Sequence, residues 1–152
     1  MIHLTNDNLS RALHNSLYQR MLSFCIAYTP EFPGEQIVQQ WLSRLYSNDT
    51  NLHILITLDD KYQITQHSVI DIVEAYGDRV VFCHQTEIDR GSKTALDSVM
   101  EYLDKLMYES NAVCISAVVS KNVKVYEKKY GYTQSRVCII KSRDDTVGNN
   151  EV

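Results

Sequence analysis

The chain has 152 residues, a formal net charge of −4 and a composition that is 44% hydrophobic and 22% charged. This length suits one globular domain with one core, and the negative net charge argues against broad nucleic-acid binding, which requires a basic surface. No apolar run approaches the roughly 20 residues that cross a bilayer. The N-terminus also lacks the pattern of a signal peptide, so we expect a cytoplasmic protein without membrane contact.

Cysteine and histidine residues are spread along the chain without the spacing of a metal site. Cys25, Cys83, Cys114 and Cys138 form no Cys-x-x-Cys pair, and the last three lie in apolar, strand-like runs. We therefore predict buried free thiols, as expected in a reducing compartment. The five His residues are scattered as well, so we expect neither a metal site nor a disulfide bond.

The first fifty residues predict a short strand and two helices. Ile2–Leu4 is compatible with a first strand, and apolar residues at helical spacing predict an amphipathic helix from about Asn6 to Ser23. The next segment contains both prolines of the chain, which interrupt helices. A second apolar stripe predicts a helix over about Glu35–Tyr46. The loop between the two helices is a place where a substrate could enter.

From residue 51 the apolar pattern changes from helical to alternating. Leu52–Leu58, Gln63–Tyr76 and Arg79–Thr86 predict three strands joined by short turns, which is a β-meander. A helix from about Ser92 to Ser110 follows, with apolar side chains along one side. Val113–Val119 then contains almost no polar residue, which predicts a strand that is buried on both faces and central in its sheet.

The C-terminal part predicts one further helix and one further strand. The helix spans about Lys121–Tyr130 and ends at Gly131, a residue suited to a helix C-terminal cap. Arg136–Ser142 predicts the last strand, whereas Arg143–Val152 has no apolar cluster and predicts a flexible tail. We therefore expect one α+β domain over residues 1–142, followed by the tail at residues 143–152.

A motif after the apolar strand points to a protein family. Asn122 is followed by Tyr126-Glu127-Lys128 and by Gly131-Tyr132. Together with the order of elements over residues 2–142, this motif resembles the cofactor half of the GNAT superfamily of acyl-CoA N-acyltransferases. The resemblance implies a GNAT-like fold, in which a central mixed β-sheet, made of a meander and a splayed pair of parallel strands, is flanked by the four predicted helices.

The stretch before the long helix resembles the phosphate-binding loop of that family. In the family an Arg or Gln opens a Gly-rich loop, and backbone N–H groups at the following helix end hold the CoA pyrophosphate. Arg90 and Ala95 match this pattern, and Lys93 replaces its middle Gly. The resemblance implies acetyl-CoA as a cosubstrate and no metal. The residues expected to bind the cofactor are Arg90, Gly91, Ser92, Lys93, Thr94, Ala95 and Asn122.

Direct acyl transfer requires a general base for the amine and a general acid for the departing thiolate. In the family the acid is often a Tyr at the position of Tyr126. The candidate bases are Glu74, His84 and Glu87, which lie on or after the meander strands. We take Tyr126, Glu87 and His84 as the candidate catalytic residues.

The leading hypothesis is an N-acetyltransferase that moves the acetyl group of acetyl-CoA directly to an amine of a small molecule or a peptide. The alternative is a GNAT-fold protein without catalysis or CoA binding that serves as a structural or accessory component, such as a phage virion protein. Three features favour this alternative: Lys93 in the loop, the absence of a motif around any candidate base and the short first strand. Its location would be the host cytoplasm or the virion. A homodimer or a larger assembly is compatible with both hypotheses.

Overall fold

The computed structural model describes residues 1–92, 94–119, 123–134 and 141. Its residues group into two compact units, Met1–Ser120, which holds the described sheet, and Lys121–Val152. The predicted strand over Arg136–Ser142 and the predicted tail over Arg143–Val152 lie outside the described residues, apart from Lys141.

A mixed five-stranded sheet lies in the first unit, in the order β1-β2-β3-β4-β5. Neighbouring strands from β1 to β4 are antiparallel, whereas β4 and β5 are parallel. The meander, the parallel pair and the α+β class predicted from the sequence are confirmed. The strands are Ile2–His3 (β1), Leu52–Leu58 (β2), Ile64–Ala75 (β3), Asp78–Ile88 (β4) and Cys114–Ala117 (β5).

Two helices, α1 (Arg11–Tyr28) and α2 (Gly34–Tyr46), pack against one face of the sheet. They approach closely at Gly34, where an added Cβ would lie 2.9 Å from the Cβ of Cys25. A larger residue there would force the two helices to shift. The buried side chains of this face are Leu4, Leu17, Met21, Cys25, Val38, Trp41, Leu42, Leu45, Leu52, Ile54, Ile56 and Val69.

The first helix begins later and ends later than the sequence pattern predicted. Ser10 caps α1, because its hydroxyl accepts a hydrogen bond of 3.2 Å from a backbone N–H of the first turn. The predicted start at Asn6 is wrong, since residues 6–8 form a turn that the side chain of Asn8 stabilises. The helix continues to Tyr28 because no helix breaker occurs before Pro30.

The third helix, α3 (Ala95–Glu109), packs against β4 and β5. The hydroxyl of Tyr102 on this helix lies 2.7 Å from Nδ1 of His53. His53 lies along β2 between two residues of the α1–α2 core, so the alternation of the strand places α3 on the opposite face. The buried residues of α3 are Ala95, Val99, Met100, Leu103 and Leu106, which largely match the predicted apolar side.

The fifth strand is shorter and more exposed than its apolar run predicted. Val113 and Val118, which flank β5, are 62% and 75% exposed, and Cys114 is exposed rather than buried. Within the described residues β5 pairs with β4 alone. The prediction that this run is buried on both faces is therefore wrong. Its central position in the sheet stays a prediction, because the predicted last strand, Arg136–Ser142, lies outside the described residues. An apolar run shows that a strand can be buried, but the neighbouring layers decide how much of it is.

Cys25 and Cys83 are buried free thiols, as predicted. Burial raises the pKa of both thiols above the usual value, and nearby hydrogen bonds offset only part of this effect. Both groups are therefore protonated at neutral pH and pack as small apolar side chains. Cys138 lies outside the described residues.

The second unit contains α4 (Val123–Tyr130). This helix ends before Gly131, whose φ of 75° favours glycine, so the predicted C-terminal cap is confirmed. Among the residues with a described structure, no helix is both long and apolar enough to cross a membrane.

Candidate active site along the fourth strand

The fourth strand contains an inserted residue near its centre. Val69 of β3 pairs with Gln85, and the next residue, Ile70, pairs with Cys83, so His84 is the extra residue of a β-bulge. A bulge bends its strand and redirects the side chains next to it. Bulges are common beside active sites. This bulge lies at His84, which was predicted from the sequence as a candidate base.

The parallel pairing of β4 and β5 ends at the bulge. Cys83 and Ala117 form the last pair, whereas β4 continues beside β3 to Ile88. Within the described residues, no strand pairs with the β5 side of β4 beyond Cys83. Backbone N–H and C=O groups there can hydrogen-bond to a ligand that lies alongside the strand. We call this unpaired β5 side of β4 beyond Cys83 the opening. The splayed pair that the resemblance implies stays a prediction.

Two aromatic rings and a carboxylate surround the imidazole of His84. Its ring centroid lies 5.2 Å from that of Trp41 and 4.7 Å from that of Phe82. Its Nε2 lies 3.4 Å from Oδ2 of Asp71, and the side chain is 28% exposed. Its Nδ1 forms no hydrogen bond within the described part of the chain. The ring is held in place while one nitrogen stays available to a ligand.

Asp71 is paired with Arg44 of α2. Arg44 donates from Nη1 to Oδ2 at 2.8 Å and from Nη2 to Oδ1 at 2.9 Å. Its Nε donates to Asp49 at 2.7 Å. Burial raises the pKa of Asp71, but the hydrogen bonds from Arg44 and His84, with their charges, outweigh burial and lower it to about 2. The hydrogen bond to Asp71 is also the largest cause of the raised pKa of Arg44. Both groups are therefore ionised at neutral pH.

A second arginine binds the end of β4. The side chain of Arg20 on α1 is 15% exposed, and its Nε lies 3.1 Å from Oε1 of Glu87. Its Nη2 donates to Oδ1 of Asp89 at 2.9 Å, and its Nη1 donates to the backbone carbonyl of Ile64 at 3.0 Å. The carboxylate of Glu87 is thus engaged with a guanidinium, which a substrate amine would have to displace.

His67 lies in the interior of this second network. Its Nδ1 accepts a hydrogen bond from Nε of Arg20 at 3.0 Å, and its Nε2 lies 2.8 Å from Oε1 of Gln85. Because an arginine only donates, the proton of this imidazole is on Nε2. Burial lowers the pKa of His67 to about 4; the bond to Gln85 opposes this and the Arg20 charge adds to it. The ring is therefore neutral at neutral pH.

The loop between β4 and α3 contains most of the predicted cofactor residues. Arg90 and Gly91 are exposed, and Gly91 has a φ of 96°, a conformation that favours glycine. The helix starts at Ala95 rather than at Ser92 as predicted, because this turn separates it from β4. Thr94 forms no side-chain capping bond, so the first-turn N–H groups of α3 receive no hydrogen bond from it.

An open apolar hollow of about 320 Å³ lies beside the loop that joins α1 and α2. Ile26 and Phe32 at its rim are 65% and 50% exposed, and Glu35 adds one carboxylate. The hollow has space for a small apolar group at the loop that the sequence suggested as a substrate entrance. Its lining residues are Leu22, Cys25, Ile26, Pro30, Phe32, Gly34 and Glu35.

Tyr126 lies on α4 in the second unit. Its ring centroid lies 6.2 Å from that of Tyr130 and 6.1 Å from that of Tyr132. Its carbonyl oxygen accepts a hydrogen bond of 3.1 Å from the N–H of Tyr132. The tyrosines of the sequence motif therefore cluster at the end of one helix. The role of Tyr126 as a general acid stays a prediction.

Solved structures share this architecture over nearly the whole chain. A predicted acetyltransferase from Clostridium acetobutylicum, solved with acetyl-CoA, gives a TM-score of 0.68 at 18% identity, covering 93% of this chain and 94% of that chain. An acetyltransferase from Trypanosoma brucei gives a TM-score of 0.63 at 13% identity, with coverages of 92% and 96%. A ribosomal-protein-alanine N-acetyltransferase from Brucella melitensis biovar Abortus 2308 gives 0.60 at 11% identity, with coverages of 92% and 97%. The chain has a GNAT-like α+β fold. No family model and no curated protein matches the sequence.

Within this GNAT-like fold, the candidate site residues occupy different places. His84 and Glu87 lie on β4, and both contact the layer of α1 and α2, but they belong to separate hydrogen-bond networks. Glu74 pairs with Arg79 at the opposite end of β4, so it is remote from the opening. Lys93 and Asn122 lie outside the described residues.

Asp71, Arg44 and Arg20 were missed when the sequence was considered alone. Asp71 interrupts the apolar run Val69–Val73, and a single carboxylate in such a run indicates a buried group with a cationic partner. That signal could have been found. The sequence contains no comparable signal for Arg20 and Arg44, because cations are common on helices and the partners of these two arginines lie far along the chain. Arg44 is 27 positions from Asp71, and Arg20 is 69 positions from Asp89.

Proposed function

We propose that this protein is an acetyl-CoA-dependent N-acetyltransferase that transfers the acetyl group directly to an amine of a small molecule or a peptide. The observation that carries the proposal is the end of the β4–β5 pairing at Cys83, beside His84 at the bulge. The GNAT-like fold supports it, as does the similarity to a predicted acetyltransferase solved with acetyl-CoA.

In this proposal the loop from Arg90 to Ala95 holds the CoA pyrophosphate. Arg90 is exposed and forms no ion pair within the described residues, so its charge is available to an anion. The uncapped start of α3 supplies N–H groups and the positive end of the helix dipole. Asp97 places a negative charge in the same turn, which Arg90 and Lys93 would offset. The residues present therefore fit a phosphate group. Asn122 is proposed to contact the cofactor on the resemblance alone.

The reaction itself requires a proton acceptor for the amine and a proton donor for the thiolate. His84 and Glu87 are the proposed acceptors, and Tyr126 is the proposed donor. The two acceptors differ in availability, since Glu87 is paired with Arg20 while Nδ1 of His84 has no partner in the described residues. The hollow beside the α1–α2 loop is the proposed entrance for the amine.

Acetyl-CoA binding tests the proposal directly. We expect acetyl-CoA to raise the unfolding temperature, because a ligand that binds only the folded state stabilises it by mass action. Lys93→Glu should weaken binding, measured by calorimetry, by about tenfold or more, on the scale of one charged hydrogen bond. Lys93→Gly should keep or improve affinity. Lys105→Glu, at an exposed position on α3, serves as the charge-reversal control. No response to millimolar acetyl-CoA would favour the non-catalytic alternative.

The predicted general acid is tested by Tyr126→Phe. The variant keeps the ring and removes only the hydroxyl, so it should leave acetyl-CoA binding nearly unchanged. Turnover should fall by about 10²–10⁴-fold, the usual contribution of general acid catalysis. Unchanged turnover would remove Tyr126 from the mechanism.

A further inference from the structure

A chain of hydrogen bonds runs from helix α2 through β3 to the bulge of β4. It begins at Arg44, passes through both carboxylate oxygens of Asp71 and reaches Nε2 of His84. The side chain of Asp71 is 8% exposed, whereas that of His84 is 28% exposed. The chain therefore begins at an ion pair inside the protein and ends at a group that a ligand can reach.

Each hydrogen bond in this chain has only one possible donor and one possible acceptor. A guanidinium only donates hydrogen bonds, and an ionised carboxylate only accepts them. Nε2 of His84 faces the carboxylate of Asp71, so Nε2 carries the proton of the neutral imidazole. Nδ1 then holds the lone pair. Because Nδ1 has no hydrogen bond within the residues that the structure describes, this lone pair is free to accept a proton.

The aromatic neighbours hold the imidazole in the orientation that places Nε2 next to Asp71. Trp41, which is 8% exposed, lies on one side of the ring, and Phe82 meets it in an edge-to-face arrangement. The distance of 3.4 Å between Nε2 and Asp71 is long for a hydrogen bond. Hydrogen bonds of catalytic groups are often long before a substrate binds and become shorter in the complex.

We propose that Asp71 is a positioning residue that fixes the tautomer of His84, so that Nδ1 of His84 takes the proton of the acceptor amine. This inference rests on the proposed N-acetyltransferase function. An N–H bond of the ammonium group breaks, and its proton moves to Nδ1. The freed electron pair of the amine attacks the thioester carbonyl carbon. The C–S bond then breaks, and the sulfur leaves with its electron pair and takes a proton from the general acid. The nitrogen loses its second proton through water to the deprotonated general acid, which leaves a neutral amide, and the imidazolium releases its proton to water.

The geometry selects His84 over Glu87 for this role. Both residues follow the end of the β4–β5 pairing, but Glu87 has its Oε1 3.1 Å from a guanidinium that also binds Asp89. Proton transfer to Glu87 would break that ion pair, whereas proton transfer to Nδ1 of His84 breaks no hydrogen bond in the described residues. The imidazolium that forms is then stabilised by the carboxylate of Asp71.

The tautomer of His84 is measured by nitrogen-15 NMR on the full chain. In the wild type we expect a protonated Nε2 and an unprotonated Nδ1. Asp71→Asn retains one oxygen for Arg44 and presents N–H groups to His84, so the ring proton should move to Nδ1. The signals of His14, which contacts Tyr46 instead, serve as the internal control and should not change. A wild-type ring protonated on Nδ1 overturns the inference even if the variant does not fold, and so does an unchanged tautomer in a folded variant.

Steady-state kinetics provide the second measurement. Asp71→Asn should lower kcat by about 10²–10⁴-fold and leave KM for acetyl-CoA nearly unchanged, because the loss affects proton transfer rather than binding. The control is Asp104→Asn at an exposed position of α3, where we expect activity within about twofold of the wild type. Full activity in Asp71→Asn overturns the inference. If the wild type acetylates no amine, the proposed function fails, while the NMR measurement still decides whether Asp71 positions His84.

Discussion

Two arginine-centred networks lie between the sheet and the layer of α1 and α2. Each contains one histidine, and the two histidines differ in how many ring nitrogens form hydrogen bonds. In one network the histidine is an interior link with both ring nitrogens occupied. In the other it is the last member, with one nitrogen left free within the described residues. The Arg20 network consists of Arg20, His67, Gln85, Glu87 and Asp89, and the Arg44 network consists of Arg44, Asp49, Asp71 and His84.

From this difference we infer that burial decides the role of a histidine, with His67 serving stability and His84 serving the proposed chemistry. His67 is fully buried, and its neutral form connects Arg20 to the interior. His84 lies at the bulge, next to the last β4–β5 pair, and its ring remains partly exposed. A group with all its hydrogen bonds satisfied inside the protein adds rigidity, whereas a restrained group with a free lone pair can accept a proton.

The largest expected effect concerns the two histidines, because substitution of His84 should reduce turnover and substitution of His67 should reduce stability. His84→Gln should lower turnover by about 10²–10⁴-fold, because it removes the proposed base. It should change the free energy of unfolding by less than about 1 kcal/mol, since the side chain is partly exposed. His67→Gln should show the reverse pattern, with turnover within a few fold of wild type and a loss of stability of about 1–3 kcal/mol. Urea unfolding and initial rates measure both, and equal loss of turnover in the two variants would end the distinction.

Removal of Arg20 should be the most destabilising change within its network. Arg20→Met leaves Glu87 and Asp89 without their cation and leaves the Ile64 carbonyl without its donor. We expect a loss of about 3–5 kcal/mol in the free energy of unfolding, measured in urea. Arg11→Met, the same change at an exposed position of α1, is the control and should cost less than about 0.5 kcal/mol. Similar values for the two variants would show that the network contributes little.

The lowered pKa of His67 predicts a specific loss of stability in acid. Between the usual pKa of 6.5 and the folded value of about 4, the unfolded chain binds a proton that the folded chain does not. His67 therefore stabilises the fold fully above about pH 6.5, and this contribution, about 3 kcal/mol, is lost as the pH falls toward 4. Urea unfolding at several pH values should show a shallower dependence for His67→Gln in this window. Asp71, with a pKa of about 2, adds its own loss only below about pH 4.

The smallest effect is expected for substitution of Glu87, whose carboxylate is paired with Arg20. Glu87→Gln keeps an oxygen that can accept from Arg20, and the side chain of Glu87 is 35% exposed, so the ion pair is partly screened by solvent. We expect a loss of about 0.5–1 kcal/mol in stability and less than about threefold in turnover. A loss of turnover as large as that of His84→Gln would make Glu87 the base and reverse the assignment of the two networks.

The sequence located His84 and Glu87 but could not rank them. Both are polar residues near the end of a predicted strand, and nothing in their neighbourhood distinguishes a paired carboxylate from a free imidazole. Their ranking depends on Arg20 and Asp71, which are 67 and 13 positions away. Only the packing of α1 and the pairing of β3 with β4 bring these partners into contact. The bulge was equally hidden, since it is defined by the register of two strands.

Local patterns determined the element types and much of their order in this protein. The alternating runs of the meander, the apolar stripe of α3 and Gly131 at the end of α4 each act over a few residues, so the chain itself encodes them. Tertiary structure decided where α1 begins, how exposed β5 is, where the pairing of β4 with β5 ends and which of His67 and His84 has a ring nitrogen without a hydrogen bond among the described residues. These features depend on hydrogen bonds and packing between residues far apart along the chain, and such contacts exist only once the layers of the fold have assembled.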